Sequence, residues 1–159
     1  MTENTILYFD LENTLIEHWT DQRLCWVEGN KSILHYHRPV TIGIFSFALW
    51  CGENIEQFIH GGMKNMIEQE YDIQIDTKEI IHVNDMIETY NLENDKSNHP
   101  GSNNKSQYFI AWAHSNIKRL ESYDNLVLVD DTIEECMFNI GEKPVYTHFR
   151  NPVEIEDFI

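Results

Sequence analysis

Residues 5–15 read Thr-Ile-Leu-Tyr-Phe-Asp-Leu-Glu-Asn-Thr-Leu. An apolar-leaning run, TILYF, meets a carboxylate at Asp10 without alternating polar and apolar positions on the way. Such a run is what a strand looks like when helices cover both faces of its sheet. Two later runs have the same form: residues 41–46 (TIGIFS) end on the hydroxyl of Ser46, and residues 126–131 (LVLVDD) end on Asp130 and Asp131. Between them the period changes to that of a helix. Residues 53–70 put Ile55, Phe58, Ile59, Met66 and Ile67 on one face, weakened in the middle by Gly61-Gly62. Residues 115–123 read as a helix capped by Ser115, with Ile117 and Leu120 inward. Residues 132–140 read as another, closed by Gly141. Residues 79–83 and 144–149 are further strand candidates, and residues 108–113 fit either a strand or a helix start. Strands alternating with helices predict an α/β fold, a Rossmann-like parallel sheet with helices on both faces.

The chain has 159 residues, the length of one domain, so residues 1–159 are read as a single unit. Its 42% hydrophobic content is enough for a packed core and excludes a wholly disordered chain. The formal charge is -16, from 11 Lys plus Arg against 27 Asp plus Glu. A field of that sign repels phosphate backbones, which argues against a binder of long nucleic acid but leaves room for a small phosphorylated substrate in a local pocket. Half of the excess falls in residues 121–159, where some of it can serve a cation. Three widely spaced cysteines, Cys25, Cys51 and Cys136, form no CxxC pair and give no disulfide framework or structural zinc set. The start, MTENTILYFD, lacks the basic and long apolar regions of a signal peptide, and no run approaches a membrane span. A reduced, cytoplasmic protein without a membrane partner is expected.

In open parallel sheets, ligands bind beyond the carboxyl ends of the strands. If the three runs are neighbours, Asp10, Ser46 and the pair Asp130-Asp131 meet on one rim. A carboxylate such as Asp10 can attack phosphorus. Glu12, two residues on, can protonate a leaving oxygen and then activate water. Thr14 can hold the turn by a side-chain bond to the backbone. Ser46 can donate to a phosphate oxygen. Asp130 and Asp131 at a buried strand end are costly without a cation or donors, and magnesium favours such oxygens. The plainer readings are that Asp10 and Asn13 are turn residues, that Ser46 bonds a carbonyl, and that Asp131 caps a helix. A cation for the phosphate is sought in Lys118, at the start of the helix before LVLV, or in Lys105 beside the long polar stretch; His114 and Arg119 are backups.

Asp10-Leu11-Glu12-Asn13-Thr14 after a strand, Ser46 after a second, a downstream Lys, and Leu126–Val129 closed by Asp130-Asp131 together resemble the haloacid dehalogenase-like (HAD) hydrolase superfamily. That family's order is an Asp-x-Asp-x-Thr segment, a strand-end Ser or Thr, a Lys, and a strand-end acidic pair. The resemblance spans residues 5 to about 140, nearly the whole chain. It implies a magnesium-dependent phosphatase that works through an aspartyl-phosphate intermediate. Asp10 would be nucleophile and metal ligand. Glu12 would act as acid and base, with its carbonyl on the metal. Ser46 and Lys118 would hold the phosphoryl group, and Asp130 would ligate magnesium with Asp131 assisting. The departure is Glu12, where family phosphatases carry Asp; the extra methylene shifts its reach by roughly 1.5 Å. The substrate would be phosphorylated, a small molecule or a phosphoprotein.

Thirty-five residues separate Asp10 from Ser46, too few for a sizeable inserted cap, and the 71 between Ser46 and Lys118 are largely consumed by the helix, a strand and the loop, so a capless or minimally capped member is implied. Residues 17–40, with Trp19, Trp26, His35, Tyr36 and His37, form either a small flap or ordinary packing. Residues 91–107 (NLENDKSNHPGSNNKSQ) read as a mobile loop. A response-regulator receiver also pairs magnesium with a phosphorylated Asp, but its acidic pair comes early in the chain. The other alternative is a HAD-like domain without turnover, serving as a binding or regulatory module.

Overall fold

The computed structural model describes residues 5–12, 15–16, 40–89, 105–130, 136–140 and 143–149. Among the described residues, six strands form one sheet: β1 (Thr5–Phe9), β2 (Val40–Ile44), β3 (Ile75–Ile80), β4 (Asn125–Asp130), β5 (Cys136–Ile140) and β6 (Lys143–Phe149). Their order is β3-β2-β1-β4-β6-β5. β1 lies at the centre, parallel to β2 on one side and to β4 on the other. β3 and β6 extend the parallel set outward, and β5 returns antiparallel beside β6. The α/β architecture expected from the unbroken apolar runs is therefore present.

The alternation of side chains along a strand sorts the core into two layers. Leu7 and Phe9 of β1, Ile42 and Ile44 of β2, and Val127 and Val129 of β4 face one side. There they meet Phe58 of α1 (Gly52–His60) and Met63, Ile67 and Tyr71 of α2 (Met63–Tyr71). Ile6, Tyr8, Leu126 and Leu128 face the other side. They pack on α3 (Val83–Thr89), α4 (Lys105–Ser115) and α5 (Ile117–Leu120) through Val83, Met86, Phe109, Trp112 and Leu120. β1 is buried along its whole length, which is why its sequence carries no polar alternation.

Several boundaries differ from the sequence expectation. The helix expected over residues 53–70 is two helices. Gly61 closes α1 through its N–H to the Gln57 carbonyl, and Gly62 takes φ 101°, a left-handed conformation that suits glycine, before α2 starts. β3 covers Ile75–Ile80, not residues 79–83. Outermost among the described strands, it exposes Asp76, Thr77 and Lys78, so it lacks the apolar run that marks a central strand. α3 was not foreseen. Residues 108–113 belong to α4, whose last residue is Ser115, and Asn116 precedes α5. Residues 136–140, expected to end a helix, are the strand β5, because they pair antiparallel with β6. Of the polar stretch 91–107, residues 105–107 open α4 and the others lie outside the described residues, as do residues 17–39 of the expected flap. Among the described residues no helix is long and apolar enough to cross a membrane.

Candidate active site

The central strand ends where its neighbours end. Phe9 pairs with Ile44 of β2 and with Val129 of β4. Asp10 continues the ladder, its N–H donating to the Val129 carbonyl at 3.0 Å, and the Phe45 N–H donates to the Phe9 carbonyl at 2.9 Å. Asp10 and Asp130 are thus the next residues on adjacent parallel strands, far apart in sequence and side by side in the sheet. Ser46 follows Phe45 on the other flank.

Local structure then folds the chain back over this rim. The Leu11 carbonyl accepts from the N–H groups of both Leu15 and Ile16 at 2.9 Å, and Glu12 bridges to Ile16. Leu11, Leu15 and Ile16 are fully buried against the α1–α2 side, and the Tyr71 hydroxyl donates to the Leu15 carbonyl at 2.7 Å. Burial of these three apolar side chains therefore fixes the turn that carries the carboxylates. Asp10 is 7% exposed, while Glu12 is half-buried.

Ser46 is 2% exposed. Its Oγ accepts from the Ala48 N–H at 3.2 Å and caps a 3₁₀ turn over Phe47–Leu49. That contact uses the oxygen as acceptor, so the hydroxyl proton stays available, and among the described residues nothing accepts it. The turn is pinned from outside by Asn54, whose Nδ2 donates to the Ala48 carbonyl at 3.1 Å, and by the Asn84 N–H on the Trp50 carbonyl.

Asp10, Glu12 and Ser46 are thus gathered at one edge, with the backbone of Asp130 beside them. Asp131 and Thr14 lie outside the described residues. Among the described residues no three His, Cys, Asp or Glu side chains form a metal-binding group.

Lys118 is not part of the gathering. It lies on α5, exposed, and its carbonyl accepts from the N–H of Glu121 in the turn that leads into the start of β4. The same turn is tied to the beginning of β2 by the Tyr123 hydroxyl and Thr41 Oγ1 at 3.2 Å. Lys118 therefore stands near the amino ends of the strands, opposite the rim. The reason is helix direction: α4 begins near the rim, with Tyr108 and Phe109 against Phe47 and Phe45, and runs away from it. Lys105, the first residue of α4, stands at the end of that helix nearer the rim.

Arg119, a backup cation, is already engaged. Its Nη1 donates to Glu79 Oε1 at 2.6 Å, and its guanidinium lies over the Trp112 ring at 5.4 Å. The buried Tyr8 hydroxyl donates to the other Glu79 oxygen at 2.6 Å. Burial first, and then the bond to Glu79 and its charge, push the Tyr8 phenol far above its ordinary range. This network was missed in the sequence, although a Tyr inside an otherwise apolar central strand signals that its hydroxyl needs a partner. No protein-family model, curated protein or solved structure matches this chain.

Proposed function

We propose that the chain is a magnesium-dependent phosphohydrolase of the HAD-like kind, with Asp10 as its nucleophile. The observation that carries this reading is the register of β1 with β4, which sets the buried Asp10 beside the end of the LVLVDD strand. A carboxylate withdrawn from solvent at a sheet end, as Asp10 is, suits a hard cation, and Asp10, Asp130 and the Glu12 carbonyl would hold it, with Asp131 assisting. When bound, magnesium would offset the repulsion between an anionic nucleophile and an anionic phosphate.

The remaining work falls to the chain's own side chains. The Ser46 hydroxyl donates to a phosphoryl oxygen and orients it. An Asp10 carboxylate oxygen attacks phosphorus, the bond from phosphorus to the leaving oxygen breaks, and Glu12 gives that oxygen its proton. Glu12, now ionised, takes a proton from water as the water attacks the aspartyl phosphate. Inorganic phosphate leaves and the Asp10 carboxylate is restored. The substrate is a phosphomonoester, borne by a small molecule or a protein.

The position of Lys118 favours a second reading, a domain of the same fold that binds without turnover, because the cation assigned to the phosphate stands at the wrong end of the sheet. Purified protein with magnesium and para-nitrophenyl phosphate separates the two. Turnover that EDTA and Asp10→Asn both abolish supports the enzyme. Absence of turnover on a broad phosphoester panel supports the binding module.

A further inference from the structure

A concavity lies at the end of β3, and none of Asp10, Glu12 and Ser46 lines it. It has a volume of about 230 Å3 and is lined by Lys78, His82, Asp85, Met86, Trp112 and Arg119, with Glu79 behind the guanidinium. We propose that it binds a small anion carrying a carboxylate or a phosphate group.

The donors come first. The Arg119 guanidinium has five N–H groups in a rigid fork, and the bond to Glu79 at 2.6 Å occupies only part of it. The same bond and the Trp112 ring hold the fork in place, so little side-chain freedom is lost when an anion arrives. His82 accepts the Asp85 N–H on Nδ1 at 3.1 Å, which leaves the ring proton on Nε2, a further donor. No ion pair among the described residues occupies the Lys78 ammonium, whereas Lys64 is taken by Glu68 at 2.8 Å.

The nearby acids do not cancel this. Both oxygens of Glu79 are already bonded, one by Tyr8 and one by Arg119. The Asp85 side chain is 72% exposed, so water screens its charge. Trp112 and Met86 are almost fully buried and give the pocket an apolar wall. At about 230 Å3 the space is smaller than the roughly 300–1,000 Å3 of a cleft for a drug-sized ligand and suits a compact ion. The chain's charge of -16 repels anions from a distance, but that field is screened within about 8 Å at physiological salt. A compact anion inside the donor set gains its hydrogen bonds, while an extended polyanion would still meet the acidic surface.

The test uses the whole chain in EDTA, titrated separately with inorganic phosphate and with citrate and followed by nitrogen-15 NMR. The chain has four tryptophans, and the indole signal missing in Trp112→Phe reports on this pocket alone. The proposal expects that signal to shift saturably with at least one anion. Lys78→Ala, on the exposed edge strand, should weaken the binding about fivefold, while Lys64→Ala leaves it unchanged. A response to phosphate only or to citrate only identifies the preferred group. An unmoved Trp112 signal, or a response equal in Lys78→Ala and the native chain, overturns the proposal.

Discussion

Tyr8 shows how one side chain binds distant parts of the chain together. Its ring is buried among Phe109 and Trp112, with centroids 5.5 and 5.0 Å away, and its hydroxyl bonds Glu79. Tyr8→Phe removes the hydroxyl and leaves one Glu79 oxygen without that donor, which should cost about 1–3 kcal/mol in urea unfolding. The pH dependence has a definite sign. The folded phenol is held protonated well above the ordinary value of 10.0, whereas the unfolded phenol ionises there. Below that pH both states hold the proton and Tyr8 adds no slope. Above it the unfolded state loses the proton first, so stability falls as pH rises. Tyr8→Phe should remove that alkaline slope, as denaturation followed at several pH values would show. At this scale the sequence was legible for position, since Asp10 and Ser46 do stand where their apolar strands end. It was not legible for Lys118, because a lysine's distance from a rim depends on which way its helix runs.

Among the elements, β1 and β4 were readable almost to the residue, because burial on both faces writes an unbroken apolar run. β3 was misread because an edge strand is covered less and carries polar residues at Asp76, Thr77 and Lys78. Residues 136–140 were misread because pairing with β6, a distant partner, outweighs local helical spacing. One close approach between elements makes a prediction. A Cβ added at Gly43 would lie 2.5 Å from the Glu79 carbonyl oxygen and 2.7 Å from the Tyr8 ring. The first of these is backbone and the second a buried ring, so neither can swing aside. Gly43→Ala should therefore destabilise the fold by about 1–3 kcal/mol, measured as a lower urea midpoint. The equivalent change at Gly52, where nothing lies within 4 Å of the added atom, is its control.

For the molecule as a whole, the charge of -16 sets the response to salt. Self-repulsion opposes the compact state, and its range shrinks from about 30 Å at 0.01 M salt to about 8 Å at 0.15 M. The melting temperature should rise by a few degrees across that interval in sodium chloride, read by circular dichroism; a flat or falling trend would show that local ion pairs, not the global field, dominate. The layered architecture was legible from the alternation of element types, since only a covered parallel sheet accommodates those runs. The strand order was not, because it depends on crossover connections that leave no local signature. The polar outer margin formed by β3 has a further consequence. A stranger's backbone drawing up alongside would have to strip water from Asp76 and Lys78 before gaining a single new ladder bond, and the uneven spacing of β3 on β2 offers it no straight template. Among the described residues, that flank is therefore a poor template for edge-to-edge pairing of neighbouring copies.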